Sequence, residues 1–279
     1  MALREISPPP FFRNPRQAKR SSMSSLKREI EILDDPEAMT RRAAEEFVRL
    51  AEDAVRAKGR FTVALSGGST PRALYSLLAS GGAPYRSRVP WGRTHFFWGD
   101  ERHVPDDHPE SNFRMAHEVL LSRTPVPAEN IHRIRAEDPD AEKAAHDYET
   151  SLRDFFGLKA GEPPRLDLVL LGMGADGHTA SIFPGTGVIA EADRLVAAAW
   201  VGKFSAHRIT LTPPVLNNAA CVLFIVGGAE KADALRAVLS GAFNPDRFPA
   251  QAVLPTNGRL LWLVDRAAAG RLEKGGSVP

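Results

Sequence analysis

Residues 166–185, LDLVLLGMGADGHTASIFPG, run an apolar strand candidate into a glycine-rich turn that presents Asp176 and then His178. Histidine is the side chain whose unperturbed pKa lies nearest neutrality, so it can take and return a proton at physiological pH. Gly172, Gly174 and Gly177 keep side-chain bulk away from the turn, which leaves a reacting group room to approach. Asp176, two residues before the histidine, can orient the imidazole or contact substrate hydroxyls. A lone histidine is more often structural. One set at a glycine-rich strand end points to acid/base catalysis.

Three further segments offer groups that bind anions. After FTVAL comes SGGSTPRALY (66–75), where Gly67 and Gly68 permit a tight turn. Ser69 or Thr70 can cap the helix that follows, with Pro71 in its first turn. Free amides at a helix N-terminus, hydroxyls and Arg72 together make an anion site, although the same string also serves as a plain strand-to-helix turn. It is neither a Walker loop nor a Gly-x-Gly-x-x-Gly dinucleotide turn. After THFFWG comes DERHVPDDHPESN (100–112), which places Asp100, Glu101 and Arg102 at a strand end. Arg102 can clamp a phosphate through paired hydrogen bonds, and Ser111 is a helix cap with Asn112 holding the loop. The alternative is a solvated loop in which neighbouring charges screen each other. His103 and His108 lack the further ligands and spacing of a metal site. Finally, GKFSAHRITLTPP (202–214) sets Lys203 and Arg208 where both can reach one anion, with His207 a surface or packing residue. Lys231 reads as helix surface.

The elements that must position these groups follow from periodicity. Strand candidates are 61–66, 94–99, 166–172, 195–201, 208–212, 221–228 and 260–265. Several are apolar on both faces, as a sheet covered on both sides requires. Asp35 and Pro36 open a helix running to about Ala57, and further helices are expected over 71–80, 111–122, 137–156 and 229–239. The alternation predicts an α/β fold, a doubly wound, mostly parallel sheet with helices on both faces in a single domain. Ligands of such sheets gather beyond the carboxyl ends of the strands, where all four segments fall. The expected organisation is a disordered basic tail over 1–28, one domain over 29–270 and a short C-terminal tail over 271–279. An organelle leader, or a start at Met23, are other accounts of the first segment.

Charge and composition remove several classes. Residues 1–28 carry seven basic residues against Glu5, so the rest of this net +2 chain stands at −4. A nucleic-acid binder would show its basic footprint on the folded domain, so none is expected as a partner. The single cysteine, Cys221, rules out an internal disulfide and a multi-cysteine metal site, and its apolar neighbours predict a buried, inert thiol. No run reaches the roughly 18 apolar residues of a membrane span, so a cytoplasmic protein without a membrane partner is expected.

As a set, LSGGSTP (65–71), WGDERHVPDDHPESN (98–112), GMGADGHTASIFP (172–184) and RITLTPPVLNNA (208–219) resemble the 6-phosphogluconolactonase family over roughly residues 35–266. The resemblance implies hydrolysis of 6-phospho-D-glucono-1,5-lactone to 6-phosphogluconate in the oxidative pentose phosphate pathway, without metal or organic cofactor. It implies His178 as the catalytic acid/base with Asp176 beside the substrate. Arg102, Lys203 and Arg208 are then phosphate and lactone contacts, and Gly67, Gly68, Ser69, Thr70, Arg72 and Asp100 complete the binding set. Relatives often carry Lys-Pro-Pro before that arginine, whereas this chain has Lys203-Phe204-Ser205-Ala206. The related glucosamine-6-phosphate isomerases place an acid soon after the Gly-His pair. Here Thr179–Pro184 contains none, so the base for C2 proton abstraction is missing. A non-catalytic sugar-phosphate sensor of the transcription-regulator kind would need a DNA-binding module that residues 1–28 cannot form. A monomer or a homodimer is expected.

Overall fold

The computed structural model describes residues 28–272; of the expected tails over 1–28 and 271–279 it includes only Arg28, which opens a strand, and Arg271 and Leu272, while Met23 lies outside the described residues. Six parallel strands form the central sheet in the order β1-β9-β8-β5-β2-β3. They are β1 Arg28–Leu33, β2 Phe61–Leu65, β3 Thr94–Trp98, β5 Leu168–Leu171, β8 Cys221–Val226 and β9 Arg259–Asp265. Every residue of β2, β5 and β8 is buried, so both faces are covered. Chain order reverses between β2 and β5, which opens a crevice beyond their carboxyl ends. The loops beginning at Ser66 and Gly172 border that crevice.

A second sheet was not foreseen. β4 (Asp100–Arg102), β7 (Ala206–Leu211) and β6 (Val196–Val201) form it, all antiparallel. Its β6 and β7 are the expected runs at 195–201 and 208–212, which therefore do not belong to the parallel sheet. Gly99 stitches the sheets together: its amide donates to Leu65 O and its carbonyl accepts from Leu211 N, each at 2.8 Å.

Among the helices are α1 (Pro36–Lys58), α2 (Ser69–Ala79), α3 (Asn112–Val119), α4 (Ala141–Phe156), α5 (Pro213–Asn218) and α6 (Ala232–Ser240). Asp35 caps α1 by accepting from Ala38 N, with Pro36 at the first position, and Gly59 in the left-handed region ends it. Helix α4 starts at Ala141 and not near 137, because Asp140 accepts from the amides of Glu142 and Lys143. None of the described helices is long and apolar enough to cross a membrane.

Glu46 on α1 is 2% exposed and accepts from Arg42 at 3.0 Å, from Arg49 at 2.6 Å and from Arg259 of β9. Burial pushes its carboxyl up, but the bonds from Arg49 and Arg42 and the Arg259 charge outweigh that, leaving it below the ordinary value. Its charge therefore stabilises the fold above the unfolded pKa of about 4.3, and that contribution is lost as pH falls through the folded value. Glu46→Gln is expected to cost about 2 kcal/mol near pH 7, since bonds to charged groups are weakened. In urea melts the difference is smaller at a pH below about 4.3 than at pH 7. An equal loss at both pH values would contradict this role.

Candidate active site

His178 stands where the β5 loop crosses the mouth of the crevice. Its Nδ1 bonds Asp176 Oδ1, and its amide donates to the same oxygen at 3.2 Å. The His178 bond, then the His178 and Lys203 charges, hold the Asp176 carboxyl well below the usual carboxylate range despite partial burial. An ionised carboxylate only accepts, so Nδ1 is a protonated nitrogen, and in the neutral form of the ring Nε2 is the one that keeps a lone pair. Among the described residues no group bonds Nε2. The ring stacks on Phe183, 4.1 Å between centroids at 26°, which fixes its plane.

Glycine is required at 174 by this geometry. A Cβ there would overlap the imidazole at Nδ1 and stand 2.6 Å from Asp176 Oδ1. The turn is closed by Gly174 N donating to His178 O at 2.9 Å and Thr179 Oγ1 donating to Gly172 O at 2.8 Å.

The neighbouring segments are tied to this loop by buried polar contacts. Ser181 Oγ donates to Asp100 Oδ2 at 2.6 Å, and its amide donates to Thr210 Oγ1 at 3.2 Å. Asn112 Nδ2 donates to Asp100 O at 2.9 Å, and its carboxamide fills the space a Cβ on Gly67 would need. Asp100 is thus an anchor between β4 and the histidine loop. Glu101 points the other way and caps α3, accepting from the amides of Arg102, Asn112 and Phe113. Burial pushes its carboxyl up to about 7 against the pull of those donors. Ser111 also caps α3, accepting from Arg114 N.

The cations converge on the second sheet. Arg102 and Arg208 are direct cross-strand partners of β4 and β7, and neither forms an ion pair among the described residues. Like charges facing each other in this way are destabilising unless something neutralises them. Arg208 is 7% exposed; burial first, and then the Arg102 charge, lower its guanidinium from the ordinary value. Its polar partner is a backbone carbonyl, His207 O at 3.2 Å, while Arg102 donates to Glu110 O at 2.6 Å. Lys203 Nζ lies 3.5 Å from Asp176 Oδ2. Lys203 and Arg208 both lie over the Phe204 ring, whose edge meets Phe183.

The β2 loop differs from expectation in one respect. Helix α2 begins at Ser69, so Gly68 occupies the cap position with φ +103° and no side chain caps the helix. Ser69 and Thr70 therefore bring amides and hydroxyls to its first turn but do not cap it. The amides of residues 67–70 take no acceptor among the described residues. Ser66, not singled out from the sequence, has a hydroxyl buried at this loop without a hydrogen-bond partner. Arg72 is exposed on α2, near enough to Glu118 of α3 to lower that carboxyl, and among the described residues no hydrogen bond or ion pair joins it to the histidine loop.

The other candidates find structural partners. His103 Nε2 bonds Asp138 O at 2.6 Å, and His108 Nδ1 accepts from Glu110 N at 3.1 Å. Among the described residues no group of three or more His, Cys, Asp or Glu is placed to hold a metal ion. Cys221 is 2% exposed, and burial pushes its thiol up to about 11. His207 packs edge-on against Trp200. Phe183 and Phe204 carry no sequence signal beyond being aromatic next to the motif residues.

Comparison with known proteins places the chain in a family. A family model described as glucosamine-6-phosphate isomerases/6-phosphogluconolactonase matches residues 34–262. A 6-phosphogluconolactonase of Nostoc sp. is 42% identical over 247 residues, covering 88% of this chain and 99% of the relative. The protein named 6-phosphogluconolactonase 3, chloroplastic, of Arabidopsis thaliana is 38% identical, with 88% and 76% covered. Among solved structures, 6-phosphogluconolactonase from Trypanosoma cruzi superposes with a TM-score of 0.77 at 30% identity, covering 89% of this chain and 98% of the other. That from Thermotoga maritima gives 0.73 at 36% identity, covering 86% and 100%.

Proposed function

This chain belongs to the glucosamine-6-phosphate isomerase/6-phosphogluconolactonase family, and we propose that its site hydrolyses 6-phospho-D-glucono-1,5-lactone to 6-phosphogluconate. The observation that carries this reading is a histidine whose Nε2 has no partner among the described residues, linked through Phe183 and Phe204 to one of two facing arginines that form no ion pair there. The arginines call for a dianion. The histidine calls for a proton transfer next to it.

Arg102 and Arg208 hold the phosphate, with the free amides of residues 67–70 as a second anion-binding wall. His178 Nε2 takes a proton from water as the oxygen attacks the lactone carbonyl carbon. The imidazolium, stabilised by ionised Asp176, then gives that proton to the departing ring oxygen, leaving a hydroxyl and a carboxylic acid. Lys203 or a backbone amide stabilises the tetrahedral oxyanion. No acid lies between His178 and Pro184 to abstract a proton from C2, which favours hydrolysis over isomerisation. The same proposal covers a cytoplasmic enzyme, monomeric or homodimeric, that needs no metal or organic cofactor, with 29–270 as its catalytic domain.

The phosphate requirement tests it. The phosphorylated lactone should be turned over with kcat/KM at least about 100-fold above unphosphorylated gluconolactone, as two charge-assisted contacts would give. Arg208→Met should remove most of that ratio through KM. Equal turnover of both lactones would overturn the assignment.

A further inference from the structure

We propose that Phe204 is a positioning residue whose ring holds Lys203 and Arg208 in place to receive the anionic groups of the substrate. The inference rests on the lactonase reading for the identity of that substrate, but its physical content concerns only the two cations and an anion. Phe204 lies in the turn between β6 and β7, a single helical turn over Gly202–Phe204 followed by Ser205. Two unfavourable features meet there. Phe204 is 46% exposed, and Ser205 adopts φ +48°, in the left-handed region that favours glycine. Costs of this kind persist where surrounding contacts or function require them.

The contacts identify the requirement. Lys203 Nζ lies 5.5 Å and Arg208 Cζ 5.0 Å from the Phe204 ring centroid, both within cation–π range. One ring therefore serves two like charges that no carboxylate holds together. Lys203 reaches Asp176 only at 3.5 Å with a mostly exposed side chain, and Arg208 has no ion pair among the described residues. The negative face of the ring offsets part of the repulsion between the cations. Phe204 also meets Phe183 at 5.7 Å and 72°, and Phe183 stacks on His178. The ring thus ties the cations to the imidazole, through packing against Phe183 and attraction to the charges.

A merely structural aromatic would be replaceable by any apolar side chain of similar size. A positioning ring is not, so Phe204→Leu is the discriminating variant and Phe204→Trp the rescue. Lactone turnover of the unaltered protein is measured first; its absence would dispose of the lactonase reading and leave the present inference to the second measurement. That measurement is the affinity of inorganic phosphate, by calorimetry, for the unaltered protein and the Leu, Ala and Trp variants. Phe204→Leu and Phe204→Ala should each weaken phosphate binding and raise KM about 3- to 30-fold, the range of a cation–π contact. Turnover at saturation should change less than KM, because His178 and Asp176 are untouched and only the share of oxyanion stabilisation that Lys203 supplies is weakened. Phe204→Trp should restore both constants. Phosphate affinity and KM in Phe204→Leu equal to those of the unaltered protein would overturn the proposal, as would a loss confined to kcat.

Discussion

His178→Asn is expected to lower lactone turnover by about 100- to 10,000-fold, the contribution of a positioned acid/base, while leaving affinity for 6-phosphogluconate nearly intact. Asparagine keeps a polar group near Asp176 but has no lone pair that can take and return a proton. The proposed anion contacts come from other elements: Arg102 from β4, Arg208 from β7 and the amides of residues 67–70 from the start of α2. Removing the imidazole should therefore cost kcat and spare binding. Spontaneous opening of the δ-lactone must be subtracted, since the variant will run close to that background. Turnover close to that of the unaltered protein would remove His178 from the mechanism. A matched loss of product affinity would instead mean that the substitution had disturbed the whole loop.

Gly174→Ala is expected to disable the site while keeping His178, Asp176 and every cation in the sequence. A methyl group at this position cannot coexist with the present imidazole, since it would overlap Nδ1 and crowd Asp176 Oδ1. Either the ring rotates off Phe183 or the loop shifts, and both move Nε2 away from its working position. A displacement of about 1 Å costs on the order of 100-fold in rate. Because the loop lies at the surface of the crevice, the melting temperature should change little by comparison. Kinetics together with a thermal melt check this. Normal turnover in Gly174→Ala would show that the His178–Asp176 geometry is not the reactive one.

Much of the site was legible because its chemistry sits in contiguous strings. Glycines, an aspartate and a histidine at the end of a buried strand read as a turn, and of the two roles open to Asp176 the structure shows the bond to the imidazole. Less legible was what depends on partners far away in the chain. Runs 195–201 and 208–212 look like the strands of the central sheet, because apolar content does not reveal direction. Yet only residues 202–205 join β6 to β7, too few for the crossover that parallel neighbours need, so an antiparallel pair was implied. β1 escaped because Arg28-Glu29-Ile30-Glu31-Ile32 is not an apolar run; it is an edge strand whose Glu29 and Glu31 meet Arg259 and Arg42. β4 has three residues, too short for any pattern. The ring of Phe204 over two cations is invisible in sequence altogether, since Arg208 reaches it only through the turn between two strands.

The facing of Arg102 and Arg208 illustrates the same point. Each alone reads as a surface cation, and only the β4–β7 register sets them opposite one another. In the proposed function it is their facing without an ion pair among the described residues, more than the histidine, that would separate a phosphosugar site from a generic acid/base loop.

The central claim is tested most directly by supplying freshly generated 6-phosphogluconolactone to the purified full-length protein and following 6-phosphogluconate formation with time. The account predicts a saturable rate above the spontaneous background, proportional to protein, with no ammonia released when glucosamine 6-phosphate is offered instead. A rate that never leaves the spontaneous background, or ammonia from glucosamine 6-phosphate, would contradict it.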